Sequence, residues 1–349
     1  MNQVLPCVMP WKALFMDERE GRVAALPCCL SWIKADYGTV GTATLDELWN
    51  SLGAQRIRNL IATGRQDEIC DKHCPLLMSG KYGEAALRVV DGPAEFVENQ
   101  LLNNEEIRQR KTILSSRPML IKVLPSLRCN LRCTMCFQDH YGPADLGDDF
   151  WKQINDLLPF ASEITFQGGE VTLDGEFRRF LRSPALRLSP HIRISLITNG
   201  TVLDDDLVAS LSQVALNFVT VSVNAASRAT FRRIAKVDLF ERVLENARRW
   251  IRLSAEHPVR SFDVFLSFVV MRSNFEELPA FVQIAEQLGA KLQLLPVIGD
   301  REGEDIFVRT DQHARLREVL AEAKQVARGE AYQQVDRIRL VLNNSGELV

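Results

Sequence analysis

From residue 119 onward, short apolar runs alternate with longer amphipathic ones. The runs 119–124, 163–166, 192–197, 218–223, 264–270 and 291–296 have the length and side chains of strands. Helical spacing of apolar positions falls near 150–158, 176–181, 204–212, 240–253 and 275–288. Strands and helices in this alternation predict an α/β chain built on a parallel sheet. Functional groups then belong at the carboxyl ends of the strands.

The N-terminal part has a different rhythm. Apolar runs at 11–16 and 22–26 flank Asp17-Glu-Arg-Glu-Gly21, which reads as a β-hairpin with a polar turn. Thr44 and Glu47 form a capping-box pattern ahead of a helix carrying Leu45, Leu48, Trp49, Leu52, Ile57, Leu60 and Ile61, with Gly64 as its stop. Residues 86–116 read as a connector, with a short helix over 93–100 and a charged, solvated one over 105–112. Beyond residue 300, 312–327 reads as a helix, and the alternation over 335–342 reads as an edge strand. The expected organisation is therefore 1–85, a connector 86–116, the α/β part 117–300, and a tail 301–349.

Composition narrows the class. The 349 residues are 46% hydrophobic and 25% charged, enough for a buried core. A net charge of −3 does not point to nucleic acid as a partner. No apolar run spans a bilayer, and the N-terminus has no basic start or apolar centre of a secretion signal, so the expected location is the cytoplasm, without a membrane partner. In that reducing setting, eight cysteines favour metals over disulfides.

The cysteines fall into two groups. Cys129, Cys133 and Cys136 follow the first strand of the α/β part with C-x3-C-x2-C spacing. An iron–sulfur cube normally takes four thiolates, so three leave one iron open to chemistry. The alternative is structural zinc, with His140 completing a Cys3His set. The second group is Cys7, Cys28, Cys29, Cys70 and Cys74. Four of these thiolates suffice for a second cluster, or for zinc.

The trio, Gly168-Gly169-Glu170 after the second strand, Thr198-Asn199-Gly200 after the third, and Ser222 with Asn224 at the end of the fourth together resemble the radical S-adenosylmethionine superfamily. The resemblance spans about 117–300 and implies an open, partial (β/α)6 TIM-type barrel. It implies that the trio holds a [4Fe–4S] cluster and that S-adenosylmethionine binds the open iron. Reductive cleavage to a 5′-deoxyadenosyl radical and hydrogen abstraction from substrate follow from the same resemblance, as does a flavodoxin- or ferredoxin-type electron donor. It assigns cofactor contacts to Gly168, Gly169, Glu170, Asn199, Ser222, Asn224, Arg272 and Val297. The aromatic residue the family places before the third cysteine is replaced by Met135, with Phe137 following; both are candidates beside the adenine.

The N-terminal part resembles the auxiliary-cluster module called twitch, the short form of the SPASM domain. The resemblance rests on Cys7-Val-Met-Pro-Trp11, Gly21 with Cys28-Cys29, Glu47-Leu-Trp-Asn-Ser51 and Cys70-x3-Cys74-Pro75. It implies a small α+β domain whose Cys7, Cys28 (or Cys29), Cys70 and Cys74 hold an auxiliary [4Fe–4S] cluster that accepts an electron. Most relatives carry this module after the barrel; here it comes first. The expected function is an oxidoreductase-type radical enzyme acting on a peptide or a small polar metabolite. The alternatives are a radical epimerase, a zinc-stabilised binding module and an electron-transfer iron–sulfur protein. No catalytic side chain is singled out, and the sequence names no substrate.

Overall fold

The computed structural model describes residues 5–72, 74, 76–77, 87–136, 138 and 146–345. Two compact units divide the chain. The first comprises 1–128, 139–168 and 174–195; the second comprises 129–138, 169–173 and 196–349.

In the first unit, helix α1 (Met9–Lys12) leads into strands β1 (Ala13–Arg19) and β2 (Arg22–Leu26), which pair antiparallel as expected. Their turn is only Glu20-Gly21, both with positive φ, so β1 runs on through the polar residues read as turn. Strand β3 (Gly38–Thr39) pairs with β2. The expected helix at 45–61 is two helices, α2 (Leu45–Trp49) and α3 (Leu52–Ala62). The Thr44–Glu47 capping box starts the first, and Ser51 caps the second by accepting the Ala54 amide at 3.1 Å.

The two helices expected at 93–100 and 105–112 are one, α4 (Ala94–Arg108). Its buried face is largely amides rather than an apolar stripe. Asn103 donates to the Trp11 carbonyl, Asn99 to that of Arg117 and Asn104 to that of Leu87. Strand β4 (Leu120–Val123) then lies parallel to β1, with Phe15 opposite Lys122, so the N-terminal segment extends the sheet of the α/β part. Lys122 Nζ meets Asp17 Oδ2 at 2.5 Å in a buried ion pair. Helix α5 (Gly147–Leu157), strand β5 (Glu163–Phe166) and helices α6 (Gly175–Phe180) and α7 (Pro184–Arg187) complete this unit. Phe166 packs against Trp151, Phe177 and Phe180. The strand order here is β3-β2-β1-β4-β5. Strand β6 (Arg193–Thr198) starts in this unit's part of the sequence and ends in that of the second.

The second unit holds β7 (Leu216–Ser222), β8 (Asp263–Val270) and β9 (Lys291–Pro296), paired parallel in that order. Its helices are α8 (Asp205–Leu211), α9 (Arg228–Ala235), α10 (Phe240–Ala255), α11 (Leu278–Leu288), α12 (His313–Val326) and α13 (Gly329–Ser345). Strands β4 to β9 are each followed by helix, the (β/α)6 succession of a partial TIM-type barrel.

One expectation is overturned here. Residues 335–342 are not an edge strand but part of α13. Val335, Ile338 and Leu342 are all within 1% of full burial, and their spacing of three and four is one helical face. Helix α13 lays that face against α12 and β9. Helix α9 was also not foreseen.

Candidate metal centres

The trio lies on the segment after β4, in the second unit. Two main-chain bonds dock this loop on the end of α9: the Arg132 and Thr134 amides donate to the Ala235 and Ile234 carbonyls at 3.1 Å each. These carbonyls are free because α9 ends there, turned by Lys236 at φ 62°. The Cys136 amide closes a turn onto the Cys133 carbonyl at 3.0 Å. From the loop after β9, Arg301 donates to the Cys136 carbonyl at 2.6 Å.

Glu170 organises the other side of this site. It is 2% exposed, and its carboxylate accepts from the Thr172 amide and hydroxyl, the Thr198 hydroxyl and the Asn199 amide, at 2.6–3.0 Å. Burial pushes its carboxyl up, while those four bonds hold the charged form. The turn after β5 is thereby tied to the end of β6. Asn199, so fixed, donates from Nδ2 to Cys129 Sγ at 3.5 Å and to Asn130 Oδ1 at 2.9 Å, and Thr201 joins them. Cys129 Sγ also accepts the Leu131 amide at 3.4 Å. Gly200 completes the turn at φ 72°, and a β-carbon there would meet Val221 at 2.6 Å.

The three thiols are electrostatic neighbours. Burial pushes Cys133 up to about 12, and the charges of Cys136 and Cys129 add to it. Burial raises Cys129 as well, with the Glu170 and Cys136 charges contributing. Thiolates gathered this way repel one another until a cation joins them, which suits an iron–sulfur group.

The remaining expected contacts divide by what their atoms already do. Asn224 is backbone-strained at φ 59°; its side-chain oxygen accepts the Val269 amide at 2.8 Å, and its carbonyl takes a bond from Asn274. It therefore holds β7 to β8. Ser222 is half-buried and Arg272 exposed; among the described residues, nothing bonds the Ser222 hydroxyl or the Arg272 guanidinium. Met135 is half-buried and Val297 is 7% exposed. Phe137, His140 and Pro75 lie outside the described residues. Gly168, in the first unit, has a local reason to be glycine: a β-carbon would come within 2.5 Å of the Ser126 carbonyl oxygen.

The first unit gathers the other cysteines. Cys7 precedes α1 and its sulfur accepts the Met9 amide at 3.4 Å. Cys28 follows β2. Cys70 forms an isolated antiparallel bridge with Ile33, and the Cys74 amide donates to the Asp71 carbonyl at 3.1 Å. Burial pushes Cys7 up to about 12 and Cys70 to about 11, each raised further by neighbouring thiols. Cys28 is raised too, by burial and then by Cys29, Cys7, Cys70 and Cys74. Cys29 is exposed. Among the described residues, no three Cys, His, Asp or Glu side chains come close enough to hold a single ion.

The sequence missed the α9 carbonyls, Arg301 and Thr172. No side-chain pattern marks a helix-end carbonyl, and Arg301 lies far along the chain. Asn130 and Thr201 flank quoted motifs and could have been found.

A thiol trio follows the first strand of the (β/α)6 succession. Residues 123–283 match the family described as Radical SAM superfamily, so the chain carries a radical SAM domain. S-adenosylmethionine and a [4Fe–4S] cluster are the cofactors of that family. The chain is similar to a protein of Saccharolobus islandicus named "Probable GTP 3′,8-cyclase", 31% identical over 181 residues, 48% of this chain and 54% of the relative. One of the same name from Thermoplasma volcanium is 27% identical over 238 residues, 64% and 69% of the two chains. The chain thus spans about half the length of the first of these curated relatives. Among solved structures, Streptococcus suis SuiB bound to precursor peptide SuiA gives a TM-score of 0.49 at 14% identity, covering 84% of this chain and 67% of that one. No helix among the described residues is long and apolar enough to cross a membrane.

Proposed function

We propose that this chain reductively cleaves S-adenosylmethionine at a [4Fe–4S] cluster held by Cys129, Cys133 and Cys136 and takes hydrogen from a peptide or small polar substrate. The observation that supports it most is the network Glu170–Asn199–Cys129, which links the first cysteine of the trio to Glu170 and to the residue that follows β6. When bound, the cofactor pair supplies a 5′-deoxyadenosyl radical as the hydrogen-abstracting species. The protein's part is to hold and orient. Asn199 steadies Cys129, Glu170 steadies Asn199, and Arg301 steadies the arm of Cys136. The Ser222 hydroxyl and the Arg272 guanidinium are free to bond ribose and carboxylate groups. Asn224 takes part through the shape it gives the β7 end.

Cys7, Cys28, Cys70 and Cys74 would hold an auxiliary [4Fe–4S] cluster, with electron acceptance as its role and a flavodoxin- or ferredoxin-type protein as the donor to the trio. The name of the curated relatives adds a second substrate reading, a guanine nucleotide undergoing ring closure.

The test is anaerobic reconstitution with iron and sulfide counts, then dithionite and S-adenosylmethionine. Wild type should release 5′-deoxyadenosine, and Cys133→Ala should fall to background. A Cys70→Ala/Cys74→Ala double variant should still release it, while losing product formed from a candidate peptide or GTP. Fully loaded wild type that leaves S-adenosylmethionine intact refutes the proposal. Undiminished product from the double variant removes the auxiliary role.

A further inference from the structure

The cluster loop carries a buried hydroxyl with no partner among the described residues. Thr134 sits between Cys133 and Met135 and is 9% exposed. Its amide is spent on the Ile234 carbonyl at 3.1 Å, which fixes the residue on the end of α9. Its Oγ1 is fully buried and has no hydrogen-bond partner among the described residues. A hydroxyl in that position costs desolvation energy with no return, and valine would fill the same space without the cost. Such an atom calls for an acceptor that the described residues do not supply. Thr134 follows one proposed cluster ligand directly and precedes the next by two residues.

The Leu131 amide and Asn199 Nδ2 both serve Cys129 Sγ. For the other arm of the loop, between Cys133 and Cys136, Thr134 Oγ1 is a donor in reserve. We propose that Thr134 Oγ1 donates a hydrogen bond to a sulfur of the cluster held by the trio and thereby raises its reduction potential. The inference rests on the cluster assignment above. A donor at sulfur favours the reduced cluster, because reduction adds negative charge there. Thr134 is a tuning residue; it touches neither substrate nor the reacting bond.

The test compares wild type, Thr134→Val and Thr134→Ser, each reconstituted anaerobically, by iron count and by potentiometric titration followed by electron paramagnetic resonance. Removing the donor should shift the reduction equilibrium about tenfold toward the oxidised cluster, about 59 mV lower for one electron, with full iron retained. Thr134→Ser, which keeps the hydroxyl, should return close to the wild-type potential. A Thr134→Val cluster at the wild-type potential with full iron overturns the hydrogen bond and leaves the trio's assignment standing. Loss of iron from both variants overturns it too, because the position then matters for packing alone. Wild type that takes up no iron at the trio fails the assignment itself, and the inference with it.

Discussion

Glu170→Ala is expected to lower the stability of the second unit by more than about 4 kcal/mol, and to leave the trio poorly loaded with iron. The carboxylate is the common acceptor for two amides and two hydroxyls, all in buried surroundings. A bond to a charged acceptor contributes about 1.5–3 kcal/mol, and each buried donor left without one costs about 1–3 kcal/mol. Alanine removes the acceptor from all four and leaves a void. Glutamine keeps the volume but turns an NH2 toward donors, so Glu170→Gln should lose about half as much. The effect on iron follows from Asn199, whose amide is one of the four and whose side chain steadies Cys129. Urea unfolding checks the first part and iron per chain the second. A Glu170→Ala protein that unfolds at the wild-type midpoint would show that the network carries no weight.

Arg58→Met should destabilise the first unit by about 3–5 kcal/mol, by analogy with the loss of one partner from a buried ionic site. Arg58 on α3 is fully buried. Its guanidinium donates to the carbonyls of Pro10, Thr112 and Trp49 at 2.7–2.9 Å and to Asn50 Oδ1 at 3.2 Å. It also lies over the Trp49 ring, 4.6 Å from its centroid. One side chain thus joins α1, the end of α2 and the segment after α4. Methionine fills much of the space and satisfies none of the oxygens. Lysine is no substitute, because one ammonium cannot reach the four acceptors that the planar fork spans. Pro10 is three residues from Cys7, so iron uptake by the first unit should weaken in step with stability. Thermal unfolding of Arg58→Met and Arg58→Lys is the check; a lysine variant as stable as wild type would contradict the geometry.

Legibility followed the kind of group that gets buried. Strands β4 to β9 were readable because their buried side chains are apolar and regularly spaced. The continuity of α4 was not, since Asn99, Gln100, Asn103 and Asn104 face the interior and carry no hydrophobic signal. The tail strand failed for a related reason. Over eight residues, Val335–Leu342 satisfies period two loosely, and the helical spacing of Val335, Ile338 and Leu342 shows its meaning only once β9 and α12 supply a surface to cover.

The site residues were legible as types and spacings, but their duties were not. Glu170 and Asn224 are expected among the cofactor contacts, and each also accepts hydrogen bonds from within the chain. A sequence gives the donors and acceptors a residue owns, and it does not say which are already occupied. Occupancy depends on contacts across many positions, such as Arg301 with Cys136.

By itself the sequence determined the cysteine sets, the β/α alternation and the family they resemble, because local spacing fixes which thiols one loop can present and which face each element buries. Only the tertiary structure decided that β1 lies along β4, that residues 335–342 belong to α13, and that the Thr134 hydroxyl is left unspent among the described residues. Each of those depends on segments brought together by burying apolar surface, and no short stretch of chain contains that information.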